Sequence, residues 1–414
     1  MTIEKYGTRT RKTELSVTNN AVSAILKSDT AKTGLRVYDN GNIGVAGAIG
    51  SYDENRLLGR AKHMLNFAIP YDCEPASDAC RHVDLTGAFK ISDEDFVRIS
   101  EELLDKLSRN YPQFSFNHKI VLEENEVFLI NDKNAGMSCR DKNAQVELLI
   151  KHKGSKNLMD SIGATVMRGF DLESMYGPVS ETCACYEEKV EAPESKMPVV
   201  MLFNCGIILQ KFYTDLNGRS MGTNASLFSG KIGQKLFSDN FTLQLERYPL
   251  ENYQCFFDAE GTVLPGDRFP LIENGVLKHP YSSKKIAKQY GFPATGSAGG
   301  DYDSVPDTSP ESIAVKSSGK TINELLGGRE AIYIVFASGG DFTSQGEYAS
   351  PVQSSFLFRD GRLIGRLPQL SISSNVYGMF GKDFIGLSTD GNNPLSPMKY
   401  LAIDMNVTRI GDWF

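Results

Sequence analysis

Short motifs built around glycine run through the second half of the chain, and they constrain its fold more than any other feature. Between residues 198 and 350 they read, in order, PVVMLFNCGIIL, SLFSGKIGQKL, FFDAEGT, LIENGVL, ATGSAGG, ASGGD and GEYAS. Glycine adopts positive φ angles and lets two backbones approach closely, which side chains would block. Apolar runs separate the motifs, so they predict short strands joined by tight turns.

The composition is that of a soluble globular protein with more than one core. Hydrophobic residues make up 41% of the 414 residues and charged residues 23%, which excludes disorder as the main state. A chain of this length exceeds what one core usually serves, so two or three domains are expected. The net charge of -7 argues against nucleic-acid binding, because neutralising phosphates needs a concentrated basic surface.

Neither a secretory signal nor a membrane span is predicted. The first residues, MTIEKYGTRTRK, lack the apolar stretch of a secretory signal. The longest apolar run, Val199 to Leu209, is interrupted by Asn204 and is too short to cross a bilayer. Seven cysteines, an odd number, fit reduced thiols better than a disulfide framework. We therefore expect a cytoplasmic protein without a membrane partner.

The hydrophobic pattern predicts an α+β fold in three parts. An N-terminal α+β subdomain over 1–112 contains the hairpin turn Asn40-Gly41 and two amphipathic helices. A central α+β subdomain with a charged linker follows over 113–197, with a helix predicted over 156–172. Strands dominate the β-rich C-terminal domain, 198–414. The expected fold class is thus N-terminal α/β subdomains with amphipathic helices, followed by a β-rich C-terminal domain.

Local signals give the expected ends of several elements. Ser51 with Glu54, and Thr321 with Glu324, have the spacing of a capping box at the start of a helix. Gly291 is expected to end the helix in YSSKKIAKQYG. The segment KIVLEENEVFLIN is interpreted as a hairpin, and two further hairpin turns are predicted at Asn274-Gly275 and Asp360-Gly361.

The histidines do not form the metal-binding pattern of common metalloproteases. Such enzymes place two histidines and a glutamate on one helix, so that the imidazoles share a zinc ion while the carboxylate activates its water. No histidine here is followed by glutamate, and all five are scattered, so surface or packing roles are favoured. They are His63, His82, His118, His152 and His279.

Three weaker patterns are better explained by structural roles. Cys183 and Cys185 could be half of a metal site, but no second pair lies nearby. The segment AVKSSGKT has Ala314 where a phosphate-binding loop requires glycine. Ser282 and Ser396 are each followed three residues later by lysine, a nucleophile–base spacing that arises readily by chance.

The order of the glycine motifs resembles the TldD/PmbA family, whose members assemble into metallopeptidases that trim or degrade flexible peptides. FFDAEG is similar to the family's FDxEG signature, and KKIAKQYGFPATGSAGG resembles its helix leading into STGxAGG. In the first part of the chain, GLRVYDNGNIGVAG resembles the family's strand pair before the first helix. The resemblance extends from about Glu14 to the end of the chain.

Absent metal ligands indicate which type of member the chain resembles. The TldD type carries an HExxxH helix after the strand that resembles PVVMLF, and a further cysteine near the C-terminus. This chain reads CGIILQKFYTDLNG at the comparable helix and has no cysteine after Cys255. Together with SLFSGKIGQKL, this resembles the PmbA type, also called TldE. The resemblance implies no metal or other cofactor in this chain, and zinc on a TldD-type partner.

The candidate peptide-cleft residues lie in the FFDAEG and ATGSAGG motifs. Their glycines suit either a wall for an extended peptide or a tight internal crossing of the chain. The two acidic residues could orient a partner's metal site or cap a turn, and the turn is favoured. No catalytic or metal-ligating residue is expected. The cleft candidates are Asp258, Glu260, Gly261, Thr295, Gly296, Ser297, Gly299 and Gly300.

The leading hypothesis is a non-metal subunit of a TldD/TldE-type metallopeptidase complex, not catalytic alone, that meets an extended peptide substrate at the interface with its zinc-bearing partner. The alternative is a non-enzymatic peptide-binding or modulator protein, possible also as a homodimer. A third option is a self-sufficient hydrolase that uses Ser282. The segments GEYAS and LSISSN depart from the family pattern, which leaves their part in peptide binding open.

Overall fold

One sheet of long strands forms the N-terminal half of the molecule. The computed structural model describes residues 1–156, 160–192, 195–202 and 206–413. The strands follow the order β3-β2-β1-β5-β6-β4, with β7 also paired to β6, and only β4 runs parallel to its neighbour. They are β1 (Thr2–Thr18), β2 (Ala21–Asp39), β3 (Asn42–Ile49), β4 (Cys80–Asp84), β5 (Phe114–Asn131), β6 (Gly136–His152) and β7 (Ser161–Met167).

This sheet draws on both sides of the boundary predicted at residue 112. β1 pairs with β5 from Glu4 opposite Asn131 to Val17 opposite His118. Strands from the predicted segments 1–112 and 113–197 are therefore neighbours in one hydrogen-bonded ladder.

The described part of this half contains the α-helices α1 (Glu54–Met64), α2 (Asp93–Asn110) and α3 (Leu172–Cys185). The two predicted amphipathic helices are present as α1 and α2, and α2 buries Phe96 and Leu103 completely. The predicted cap of α1 is wrong. Asp53, not Ser51, caps this helix, because its carboxylate lies directly before the first turn and accepts a hydrogen bond from the Arg56 N–H at 3.0 Å.

The helix predicted over 156–172 is also wrong. Its described part forms strand β7, which pairs with β6 from Ala144 opposite Met167 to Ile150 opposite Ser161; residues 157–159 lie outside the described residues. The edge of β6 offers a ladder of main-chain partners, and such tertiary pairing overrides weak local propensity. The helix begins later, at α3.

The segment KIVLEENEVFLIN is not a hairpin but part of the single strand β5. Its acidic centre suggested a turn, yet these residues meet basic partners across the sheet. Glu124 accepts from Arg11 at 3.1 Å on β1 and from Arg140 at 2.9 Å on β6. Opposite charges on neighbouring strands favour continued pairing.

The C-terminal half contains many short elements. In chain order they are β8 (Lys196–Leu202), α4 (Gly206–Asp215), α5 (Gly218–Gly222), β9 (Leu243–Glu246), α6 (Pro249–Asn252), β10 (Arg268–Glu273), β11 (Val276–Leu277), α7 (Lys284–Tyr290), β12 (Ala298–Gly299), β13 (Asp307–Thr308), β14 (Ile313–Val315), α8 (Ile322–Leu326), β15 (Ala331–Ala337), β16 (Asp341–Phe342), β17 (Glu347–Arg359), β18 (Arg362–Arg366), β19 (Leu370–Asn375), α9 (Val376–Met379), β20 (Phe384–Leu387) and β21 (Tyr400–Arg409).

Five of these strands close into a barrel-like sheet. They follow the order β15-β8-β21-β19-β17, and β17 pairs back with β15 to complete the ring. Only β15 and β8 are parallel. A separate sheet has the order β11-β10-β9-β14, and β12 pairs with β13. The predicted α+β class with a β-rich C-terminal region is confirmed.

Most local turn and helix signals in this half are confirmed. Thr321 and Glu324 form the predicted capping box of α8. Gly291 ends α7 in the left-handed region at φ 72°. The predicted hairpin turns contain left-handed residues at Asn274-Gly275 and Asp360-Gly361, as does Asn40-Gly41 in the N-terminal half. Within the described ranges, no helix has both the length and the apolar character needed to cross a membrane.

An aromatic cluster centres the C-terminal core. The Phe212 side chain on α4 is completely buried, and its ring centroid lies 4.8 Å from that of Phe380 and 5.6 Å from that of Phe241. Phe228 and Phe237 complete the cluster. These contacts pack α4, the helix compared above with the zinc helix, into the core of the C-terminal half.

Truncating the central ring should destabilise the fold. We expect Phe212→Ala to lower the free energy of unfolding by about 3–5 kcal/mol, because it removes a large buried side chain and leaves a cavity. Phe67→Ala, at a side chain that is 66% exposed, should change it by less than about 0.5 kcal/mol. Urea denaturation of both variants measures this; equal losses would contradict the packing described here.

Candidate functional site

The residues predicted to form a peptide cleft come together, but at a buried junction between the two halves of the chain. Seven of the eight candidates are buried, and only Gly300 is exposed. The FFDAEG turn packs against the N-terminal sheet, and ATGSAGG lies beside it. Within this chain, the glycine motifs thus form the tight internal crossing that was one of the two expected arrangements. Contact between these residues and a peptide stays a prediction.

Asp258 shapes the FFDAEG turn. One carboxylate oxygen accepts hydrogen bonds from the N–H groups of Glu260 at 2.9 Å and Thr262 at 2.8 Å. The other accepts from the Ala298 N–H at 2.9 Å, which ties the turn to β12. Gly261 follows at φ 69°, and a Cβ there would lie 2.8 Å from the Ala76 methyl group of the N-terminal half. The favoured turn interpretation therefore agrees with the geometry.

Glu260 is a second buried carboxyl group at the junction. It accepts hydrogen bonds from the Tyr71 hydroxyl and, at 2.7 Å, from the Lys284 N–H at the start of α7. Burial, together with the smaller effect of the neighbouring Asp258 carboxylate, raises the pKa of Glu260 to about 7. The carboxyl group thus changes charge near neutral pH while it contacts both halves of the chain.

Arg36 fastens the turn to the N-terminal sheet. Its side chain is completely buried on β2 and donates a hydrogen bond to the Ala259 carbonyl of the turn. The Glu4 carboxylate lies 3.3 Å away and balances the charge, while the guanidinium stacks 4.6 Å from the Tyr6 ring centroid. A charged side chain and a main-chain carbonyl thereby link the two halves.

The ATGSAGG segment packs closely against other segments of the C-terminal half. The Thr295 hydroxyl accepts from the Ser282 N–H at 2.8 Å and lies 3.1 Å from the Ser297 hydroxyl. The Gly296 carbonyl accepts from Arg247 at 2.9 Å. A Cβ on Gly299 would lie 2.6 Å from that of Ser309. Ser282, the candidate nucleophile, is completely buried in this crossing.

An open polar groove lies elsewhere, on the barrel. We call it the rim groove; its volume is about 530 Å³. It brings together the GEYAS and LSISSN segments, because Glu347 pairs with Asn375, and Ala349 with Ser373, across β17 and β19. The lining residues are Lys196, Asp341, Thr343, Glu347, Tyr348, Ala349, Ser373, Ser374, Asn375, Gly378, Lys382, Asp383 and Asn406.

The rim groove presents charges of both signs and several hydroxyl and amide groups. Lys196 donates to Asp383 at 2.6 Å, whereas Glu347 forms no ion pair within the described part of the chain. The lining contains neither histidine nor cysteine. These groups suit binding of a polar, extended chain by hydrogen bonds and charge.

A buried ion pair on α4 holds the loop before this groove. The Lys211 ammonium lies 2.9 Å from the Asp215 carboxylate and 3.2 Å from the Ser344 carbonyl. Asp215 also accepts from the Leu227 N–H at 2.6 Å. Within the described residues, no three His, Cys, Asp or Glu side chains are grouped to hold a metal ion.

Comparison with known sequences identifies the family. A profile of the PmbA/TldA metallopeptidase C-terminal domain matches residues 194–402, about half of the chain. The chain belongs to the TldD/PmbA family. The match contains both predicted cleft motifs and most of the barrel and rim groove; β21 continues beyond it to Arg409, and the groove residue Asn406 lies outside it.

Two curated relatives of this TldD/PmbA family member align over less than half their length. A zinc metalloprotease TldD homolog of Saccharolobus solfataricus is 26% identical over 196 residues, 44% of this chain and 43% of that protein. An uncharacterized protein of Methanocaldococcus jannaschii is 30% identical over 160 residues, 37% of this chain and 36% of its own.

Solved structures resemble the chain over nearly its whole length. TldE from Thermococcus kodakarensis superposes with a TM-score of 0.80 at 17% identity, covering 99% of this chain and 97% of that one. A putative modulator of a DNA gyrase from Thermotoga maritima gives 0.78 at 14% identity, covering 98% and 96%. At these identities the likeness concerns the fold.

Sequence reasoning missed the rim groove of this family member. Burial alternates along β17, where Glu347 and Ala349 are exposed and Tyr348 and Ser350 are buried, but an exposed alanine and a buried serine give the sequence no matching hydrophobic alternation. Which strands lie beside β17 depends on the closure of the barrel, and no local pattern specifies that closure.

Glu260 should make stability depend on pH in one direction. Its pKa is raised from 4.5 to about 7 in the folded state. Between these pH values the native state holds a proton on Glu260 that the unfolded state lacks. The stabilisation from this proton is therefore complete below about pH 4.5 and is lost as pH rises through about 7. Between about pH 4.5 and pH 8, the free energy of unfolding of the native sequence should fall by about 3 kcal/mol relative to Glu260→Gln.

Chemical denaturation of both proteins across this range measures the difference. Glu101→Gln, at an exposed position on α2, serves as the control and should follow the native protein at each pH. A difference between the native protein and Glu260→Gln that stays constant with pH would contradict the titration.

Proposed function

We propose that this chain is the non-metal, TldE-type subunit of a TldD-type metallopeptidase complex that cleaves flexible peptides. In this role it supplies interface and cleft walls, while a zinc-bearing partner supplies the metal and activates water. The observation that carries the proposal is the chemistry of α4, the helix at which TldD-type members are expected to carry their zinc ligands.

The side chains on α4 do not fit a zinc ion. Between Gly206 and Asp215 the helix contains neither histidine nor cysteine. Its buried polar pair is Lys211 with Asp215, so an ammonium group already balances the carboxylate. A fixed positive charge beside this carboxylate opposes binding of a divalent cation.

The family and the fold support the same role. The chain belongs to a family in which curated relatives are named metalloproteases, and its fold resembles that of TldE over nearly all of its length. The rim groove is an open surface that could form part of a peptide path. Its hydroxyl, amide and charged groups suit a substrate recognised by its extended shape more than by one particular side chain.

Reconstitution with a TldD-type subunit tests the proposal. Neither purified protein alone should cleave an unstructured peptide, whereas their mixture should do so and lose activity with a zinc chelator. Elemental analysis should find zinc in the partner and less than about 0.1 equivalent in this chain. Stoichiometric zinc in this chain would overturn the assignment. So would a partner whose peptidase activity is the same with and without this chain.

The rim groove provides a second test within the complex. If peptide passes along it, Glu347→Lys should alter KM for a charged peptide by about tenfold or more, equivalent to 1.4 kcal/mol. Assembly of the complex should be retained, because the residue is exposed on the barrel surface. Glu101→Lys on α2 is the matched charge reversal and should leave KM unchanged. Identical kinetics for both variants would exclude the groove from the peptide path.

A peptide-binding protein without enzymatic function is the second candidate. The rim groove favours it, because its lining offers binding groups but neither histidine nor cysteine. Stable binding of a fluorescent unstructured peptide, with no cleavage after addition of any TldD-type subunit, would support this candidate over the first.

A further inference from the structure

Two cysteines from different halves of the chain meet where the FFDAEG turn packs against the N-terminal sheet. Cys139 lies on β6, and Cys255 directly precedes the turn. Both belong to one apolar cluster at the junction, together with Met137 of β6 and the buried rings of Phe256 and Phe257. The fold therefore brings together two thiols that are far apart in the sequence.

Neighbouring contacts hold the two segments together. The Arg81 guanidinium on β4 binds both carboxylate oxygens of Asp267, at 2.6 and 2.7 Å, and stacks 4.2 Å from the Phe256 ring centroid. Arg247, which is buried in the C-terminal half, donates to the Cys255 carbonyl at 3.3 Å. The segment that carries Cys255 is therefore held against β4, the strand that pairs with β6.

The two thiols differ in their hydrogen bonds. The Cys139 sulfur accepts from the Cys255 thiol and from the Phe256 main-chain N–H, and the first of these bonds does most to lower the pKa of Cys139. Burial of the Cys255 thiol, and secondly the hydrogen bond that it donates, raise the pKa of Cys255 well above its usual value. One thiol is thus disposed to lose its proton and the other to keep it.

This asymmetry suits a reaction with peroxide. The thiolate is the nucleophilic form of cysteine, and a second thiol within reach converts the sulfenic acid that it forms into a disulfide. Cys139 is 6% exposed and Cys255 is partly exposed. Such limited exposure favours an oxidant of nearly the size of water over a bulky disulfide.

We propose that Cys139 and Cys255 form a dithiol that is oxidised by hydrogen peroxide. The Cys139 thiolate attacks one peroxide oxygen, the O–O bond breaks, and the departing hydroxide takes up a proton to become water. Cys139 is then a sulfenic acid. The Cys255 sulfur attacks it, the S–O bond breaks, and the thiol proton leaves with the hydroxyl group as a second water. Two thiols are oxidised to one disulfide, and one peroxide is reduced to two waters.

The disulfide joins the two halves of the chain covalently at their junction. It links β6 to the segment before the FFDAEG turn and closes a long loop of the chain. A cross-link across a long loop restricts the unfolded chain, so the oxidised protein should resist unfolding better than the reduced one. Exchange with a small thiol reverses the bond.

Cys183 and Cys185 provide a comparison within the same chain. They lie two positions apart on α3, a spacing at which side chains on a helix do not face each other. Burial raises the pKa of Cys183 to about 12, and the Cys185 thiol donates to the Leu363 carbonyl at 3.1 Å. We expect no disulfide between these two residues.

Thiol counting and peptide mapping test the proposal. Hydrogen peroxide should lower the number of free thiols in the native chain by two, counted in denaturant. A digest without reductant should then contain one cross-linked peptide pair, joining Cys139 to Cys255. Dithiothreitol should restore both thiols, and the midpoint of urea unfolding should be higher before this reduction than after it.

Serine variants separate the two roles. Cys139→Ser should slow peroxide consumption by at least about tenfold, because it removes the reacting thiolate. Cys255→Ser should stop the reaction at the sulfenic acid, which dimedone labels at Cys139 and does not label in the native chain. Cys183→Ser is the matched control and should react like the native chain. Circular dichroism checks that each variant folds.

An unchanged thiol count in the native chain, or a cross-link that joins other cysteines, would overturn the proposal without recourse to any variant. Equal rates of peroxide consumption by Cys139→Ser and Cys183→Ser would also overturn it. The inference concerns the thiols of this chain alone, so its failure leaves the proposed role in peptide cleavage untouched.

Discussion

The two halves of the molecule depend on a charge buried between them. The Arg36 guanidinium extends from β2 to the Ala259 carbonyl in the FFDAEG turn, with Glu4 as its counter-ion. Removing one member of a buried pair leaves the other charge without compensation, which typically costs about 3–5 kcal/mol. The Tyr38 hydroxyl also donates to Glu4, at 2.8 Å, so the carboxylate is held by two groups on the same strand. This small polar cluster fastens the FFDAEG turn to the sheet, while a continuous apolar cluster joins the sheet to barrel residues such as Val200 and Phe356.

The buried junction motifs and the exposed rim groove lie in different parts of the molecule. The Asp258 carboxylate accepts hydrogen bonds from three main-chain N–H groups. These bonds shape the turn to which Arg36 donates. A side chain so fully engaged and buried is suited to holding a fold together. The rim groove has the opposite character, because Glu347 and Lys382 are exposed on the barrel surface. The FFDAEG and ATGSAGG motifs, which match the family pattern, thus build the junction. The open polar surface is formed by GEYAS and LSISSN, the segments that depart from that pattern.

Sequence reasoning succeeded where the signal was local. The Thr321 capping box, the Gly291 helix end and the Asn40-Gly41 turn each depend on a few adjacent residues. It failed where the partner was distant. β7 is a strand because β6 offers it an edge, and β5 continues through Glu124 because arginines from two other strands meet it. Long-range pairing of this kind leaves no short-range pattern to read.

Two glycines in the N-terminal strands also have a role that depends on a distant partner. A Cβ on Gly34 would lie 1.7 Å from the Tyr302 carbonyl oxygen, and one on Gly47 would lie 2.3 Å from the Asp303 Cβ. Both glycines therefore admit the loop that follows ATGSAGG directly onto the sheet. A side chain at either glycine would displace this loop. The two strand glycines and the loop therefore form one contact that neither segment reveals when it is considered alone.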